Sequence, residues 1–162
     1  MTRIIIAIVA GLAAIAEIAL APVLAPWAAT TAVAPLALIA AWGVVRGASE
    51  VMPASAAVAI PLGVVSEERV GWFVIAALPL LVALLFVARS EERARSSWMA
   101  ACVAGAGSVG FSLILLTVAG RLRALPDEVP AILAAGGVTA LLAGIGVLLL
   151  WRWRVRTQGL FA

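Results

Sequence analysis

Few residues in this chain have side chains able to do chemistry, and most of them lie between apolar runs. Glu17 is the exception, because it stands midway along the first apolar run. A charge at that depth costs roughly 2.5–3.5 kcal/mol on insertion scales, so the carboxyl must face a partner group or be protonated. It is a candidate proton or substrate site or a contact with a partner helix. The alternative is a buried carboxyl hydrogen-bonded to backbone or serine. Arg46 and Glu50 are four residues apart, a spacing that puts both on one helix face and lets them pair. Glu67, Glu68 and Arg69, like Asp127 and Glu128, read as solvated loop charges.

Several chemistries find no residues here. The chain has no histidine, which removes the commonest metal ligand and general base. Its one cysteine, Cys102, lies inside an apolar run, cannot form an intrachain disulfide and reads as a small buried core residue. No CxxC, HExxH or Walker pattern occurs. Gly105-Ala-Gly-Ser-Val-Gly110 has the glycines of a phosphate loop but no lysine, and it lies within a predicted span. Gly105, Gly107 and Gly110 read better as a close-packing helix surface, within the bundle or toward another subunit. Gly136, Gly137, Gly144 and Gly146 mark a similar seam. The expectation is a chain that is not an enzyme and carries no cofactor and no metal.

The elements that hold these residues follow from composition. The 162 residues are 65% hydrophobic and 12% charged, with a mean hydropathy of +1.21. Soluble domains are roughly half apolar and about one-quarter charged. A soluble fold of this size could not bury so much apolar surface, so the bilayer must act as solvent. All eleven basic residues are arginine, and the net charge is only +3. They flank apolar runs, which indicates membrane orientation rather than nucleic-acid binding.

The pattern predicts an all-α polytopic bundle in one domain, residues 1–162. Six spans are expected at about 4–24, 28–45, 47–65, 70–88, 98–120 and 129–151. The first run is taken as an uncleaved span rather than a signal peptide, since it is long and contains Glu17. The stretch 51–65 is short for a span of about 20 residues and holds Pro53 and Pro61. It reaches length only with Gly47–Glu50, and a re-entrant arm, leaving five spans, is the alternative. Pro130 is expected to open the last helix. Six spans with both ends cytoplasmic place eight arginines inside and three outside. Five spans would leave the Arg152, Arg154 and Arg156 tail outside, so the positive-inside rule favours six. Trp27, Trp72, Trp98, Trp151 and Trp153 fall at span ends as an aromatic belt, and Trp42 is assigned to it too. The RWRVR tail offers three cations to anionic lipid.

The stretch Pro35 to Phe86 carries a resemblance. PLALIAAWGVVRG is an apolar span ending in an aromatic and an arginine. IPLGVVSEERVGWFVIAALPLLVALLF has a glycine, Gly63, at a span end, a short polar turn at Ser66–Arg69, Gly71, and a long apolar span. In this layout, and in the closing span followed by RWRVR, the chain resembles the rod shape-determining protein MreD family. It departs from that family at the turn, where Ser66 or Glu67 stands in place of a frequent aspartate. The resemblance implies a non-enzymatic scaffold of the inner membrane, in contact with lipids and an MreC-like protein and with no nucleic acid. Its role would be in peptidoglycan elongation and cell shape. A small transporter, like the substrate-binding membrane subunits of energy-coupling-factor importers, is the competing reading, and broken helices would support it. An accessory subunit of a larger membrane complex is a third. A transporter should gather polar side chains at mid-membrane, where this sequence has Glu17, Ser55, Ser108, Ser112, Thr117 and Thr139.

Overall fold

The computed structural model describes residues 2–24, 33–66, 69–89, 97–120 and 125–150, and these are almost entirely helical. Six helices follow one another: α1 (Thr2–Leu24), α2 (Val33–Arg46), α3 (Ala48–Val65), α4 (Val70–Arg89), α5 (Ser97–Val118) and α6 (Leu125–Leu150). Five are long and apolar enough to cross a bilayer, and α2 is the shorter apolar helix. The protein is thus a multi-pass membrane protein built only of helices among the described residues. That is the arrangement expected where hydrocarbon offers backbone groups no partner.

The sequence VAPLALIAAWGVVR has no polar face before its terminal arginine. A helix that is apolar all round is one that is surrounded. Accordingly α2 packs against each of the other five helices. Its residues from Pro35 to Val45 are buried apart from Leu38. The long helices form an arc around it in the order α1, α3, α4, α5, α6. Every exposed large hydrophobic side chain among the described residues lies on those five helices or at their ends and none on α2, as a lipid-facing shell requires. The core is one cluster that includes Leu36, Ile39 and Val44 of α2, Leu80 and Leu84 of α4, and Phe111 of α5. Phe73 and Phe111 tilt against each other at a centroid distance of 6.4 Å and join α4 to α5.

Element boundaries differ from the sequence reading at two places, α2 and α6. The stretch 51–65 reaches spanning length with the residues before it, as expected: α3 runs Ala48–Val65, against an expected 47–65, with Pro53 and Pro61 inside it. The short helix is α2, with 14 residues. The sequence suggested a start at Ala28, which lies among residues 25–32, outside the described residues. Helix α6 begins at Leu125, so Pro130 sits inside it, and Asp127 and Glu128 belong to its first turn. Acidic groups in a first turn are favoured by the positive end of the helix dipole.

Trp42 is another departure. It is 6% exposed and part of the core, so it is not an interfacial belt residue. Trp98, at 74% exposure, is on the outside at the start of α5. Trp27, Trp151 and Trp153 lie outside the described residues.

Candidate functional site: the intramembrane polar groups

Helix α2 is 14 residues long, about 21 Å at the usual helical rise. The hydrocarbon core of a bilayer is about 30 Å thick. Arg46 closes the α2 end near Arg3 and Glu50, the charged end of the bundle. With its Arg46 end at the membrane surface, a helix of that length would start, at Val33, within the apolar thickness. The first N–H groups of a helix have no partner within it, and in lipid each would cost several kcal/mol.

Glu17 answers that need. Its Oε1 accepts a hydrogen bond from Val33 N, and its Oε2 accepts one from Ala34 N, both at 2.8 Å. The next residue, Pro35, has no N–H to satisfy. One carboxylate thus takes the first two donors, and the sequence removes the third. The helix dipole adds a favourable partial positive charge beneath the carboxylate. Of the two sequence readings of Glu17, this geometry matches the carboxyl hydrogen-bonded to backbone. The distance along α1 explains the match. From Arg3 to Glu17 the helix climbs about 21 Å, the same height as α2.

Arg46 and Glu50 do not share a helix. Gly47, at φ 109°, separates α2 from α3 between them. This left-handed conformation suits glycine and breaks the i, i+4 geometry that the spacing implied. Glu50 is in the first turn of α3 and reaches across to α1. Its Oε1 lies 3.3 Å from Arg3 Nε, and its Oε2 accepts a 2.9 Å hydrogen bond from Thr2 Oγ1. The charge of Arg46 also acts on it. Two arginines and one glutamate from three helix ends therefore meet at one end of the bundle. That cluster places the starts of α1 and α3 and the end of α2 on the same membrane face.

The hydroxyls marked within the spans bond within their own helices or to one another, and Thr117 lies in the last turn of α5 rather than mid-span. Ser55 Oγ donates to Met52 O at 2.7 Å, and Ser112 Oγ donates to Ser108 O at 3.1 Å. Thr117 Oγ1 donates to Leu113 O, and Thr139 Oγ1 donates to Ala135 O, each at 2.7 Å. Ser108 Oγ and Thr139 Oγ1 are hydrogen-bonded at 3.3 Å and link α5 to α6. All six polar groups marked in the sequence therefore have partners inside the fold. None of these hydroxyls converges with Glu17.

The three glycines of α5 face neighbouring helices inside the bundle. A methyl group on Gly105 would sit 3.3 Å from Ala140 Cβ and from Gly136 O of α6. On Gly107 it would sit 2.9 Å from Leu80 Cβ of α4, and on Gly110 it would sit 3.3 Å from Pro79 Cβ. The seam therefore lets α5 approach two helices at once. Gly136 meets Val109 in the same way from the α6 side, with 2.9 Å to its Cγ2. Sequence reasoning missed the α2 backbone as the partner of Glu17 and Arg3 as a partner of Glu50. Pro35, directly after two donors that need an acceptor, was the one local signal for the former. Among the described residues, no group of histidine, cysteine, aspartate or glutamate side chains is arranged to hold a metal ion. Compared with protein-family models, curated proteins and solved structures, the chain matches none.

Proposed function

We propose that this chain is a non-enzymatic, multi-pass scaffold subunit of the cytoplasmic membrane, MreD-like, within the machinery of peptidoglycan elongation and cell shape. One observation carries the reading: the polar groups within the described helices are satisfied inside the fold, by a neighbouring helix or by their own helix backbone. Glu17 caps α2, and the hydroxyls of Ser55, Ser108, Ser112, Thr117 and Thr139 bond to their own helices or to each other. A carrier of polar solutes needs such groups aimed into a shared cavity. A scaffold needs a rigid core and an outer surface, and it acts through contacts at that surface. The resemblance of Pro35–Phe86 to the MreD layout adds the specific machinery, with an MreC-like bitopic protein as partner. Both ends of the chain are then cytoplasmic, as the arginine distribution favours.

Purification of the tagged protein from its native membrane in mild detergent, with identification of what comes with it, tests the proposal. Recovery of an MreC-like bitopic protein or a cell-wall synthase is the expected result. Recovery of ATPase subunits, or of a bound polar small molecule alone, overturns it in favour of transport.

A further inference from the structure

Helices α1 and α3 run side by side in the same direction. Arg3 meets Glu50 at one end, and Gly11 lies against Ala57 farther along. Between them is an open groove of about 820 Å3. It extends from Arg3 to Ala19 on α1 and from Pro53 to Val65 on α3. That is about 24 Å of helix, most of the thickness of a bilayer core. Its volume falls in the range of pockets that hold a molecule of drug size. The groove has two chemistries. Its walls are branched apolar side chains, among them Ile8, Leu12, Ile15, Ile60 and Val64, and its one charged lining residue is Arg3, at the mouth.

We propose that this groove binds an anionic phospholipid, with its acyl chain lying along α1 and α3 and its phosphate on Arg3. The argument rests on charge and shape together. The guanidinium carries five N–H donors, and the Nε donor is directed to Glu50. The Arg3 side chain is 58% exposed, so the remaining donors can reach a phosphate. Arg3 is the charged residue lining the groove, and the guanidinium donors that Glu50 does not take are placed to bind a phosphate. Basic pockets at helix ends on the cytoplasmic side bind anionic head groups by this chemistry.

The apolar length below the mouth suits a flexible chain better than a partner helix. Helices in lipid pack through small residues that let backbones approach. The small pair midway along this groove is already used. A methyl on Gly11 would sit 3.3 Å from Ala57 O, so Gly11 and Ala57 serve the α1–α3 contact. What remains facing outward is the bulky, branched wall, with Ile8 at 56% and Ile60 at 57% exposure. The inference does not depend on the scaffold reading.

The test uses the full-length protein in mild detergent, exposed to equal amounts of phosphatidylglycerol and phosphatidylcholine, with retained lipid counted by native mass spectrometry. The wild type is expected to keep phosphatidylglycerol preferentially, and Arg3→Gln to lose that preference by about five-fold, the share of one cation near the surface. Arg3→Lys should keep most of it. Because Arg3→Gln also breaks the contact with Glu50, Ile8→Trp provides a second arm: it fills the groove, leaves the ion pair alone, and should lower retention of the lipid. Equal retention of both lipids by the wild type overturns the proposal, as does wild-type retention by Ile8→Trp. Protection of the site by glycerol 3-phosphate as strong as that by the lipid would mean a phosphate site without a chain, and would also overturn it. A photo-crosslinker at Ile60 should label lipid. A protein adduct there instead, with a second copy or any other chain, would assign the groove to a helix.

Discussion

Glu17 of α1 accepts a 2.8 Å hydrogen bond from the backbone of Val33, the first residue of α2. It ties the charge inside the first helix to the start of the central one. The same carboxylate takes Ala34 N, and Pro35 has none to offer. The first described donors of an apolar helix too short to cross the bilayer are thereby satisfied.

Removing the cap should therefore destabilise the bundle. Glu17→Ala leaves two buried N–H groups unpaired, at a cost of about 2–5 kcal/mol. Glu17→Gln keeps one acceptor oxygen and should lose less than half as much. Thermal unfolding of the detergent-solubilised protein, followed by circular dichroism, should rank wild type above Gln and Gln above Ala. Equal midpoints for all three would remove the capping role.

Two glycines near the α3–α4 turn should respond in opposite ways. A methyl on Gly63 would lie 2.7 Å from Val70 Cα, a backbone atom that cannot move alone. Gly63→Ala should cost about 1–3 kcal/mol, the usual penalty for overpacking. Gly71 has nothing within 4 Å of an added methyl. Gly71→Ala should be neutral or gain up to about 1 kcal/mol from helix propensity. The same unfolding assay separates them.

The Arg3–Glu50 contact should govern the start of α1. It is exposed enough that the global unfolding midpoint should move little when it is lost. The local effect should be larger. In Glu50→Ala, amide hydrogen exchange in the first turns of α1 should rise, while α5 and α6 should exchange as in the wild type. Unchanged exchange in α1 would show that the ion pair does not hold it.

Cys102 is a built-in reporter of depth. The sequence read it as a buried core residue, but it is exposed on α5, one to two turns from Ser97, on the outer side of the bundle. Charged, membrane-impermeant thiol reagents should fail to label it from either side of intact membranes and should label it after denaturation. Rapid labelling in intact membranes would place that face of α5 in water.

The long helices α4, α5 and α6 were readable because runs such as Val70–Arg89 carry one signal, apolar length, with no competing one. The membrane class followed from the same runs. The elements around α2 were harder to read for a physical reason. Pro53 and Pro61 made 47–65 look broken, yet neighbouring helices and local adjustment tolerate proline in a membrane helix. Apolar length alone likewise could not tell a surrounded helix from a lipid-facing one, so the central place of α2 and the burial of Trp42 were invisible. Glu17 was legible as a residue needing a partner. The partner is a pair of backbone N–H groups in another helix, and backbone donors leave no residue type behind to find. Arg46 and Glu50 were read as a helical pair because spacing does not reveal that Gly47 ends the helix between them. The glycines of α5 were legible as a packing seam, but which helices they meet depends on the arc around α2, and local spacing does not encode that.

The most direct test of the account is photo-crosslinking in living cells from the outer faces of the bundle, with a crosslinker at Leu141 of α6 and another at Phe86 of α4, 68% and 66% exposed. A scaffold predicts adducts from at least one of these positions with a single MreC-like bitopic protein or a cell-wall synthase, identified by mass spectrometry. Adducts with ATPase subunits, or lipid adducts alone from both positions, would contradict it.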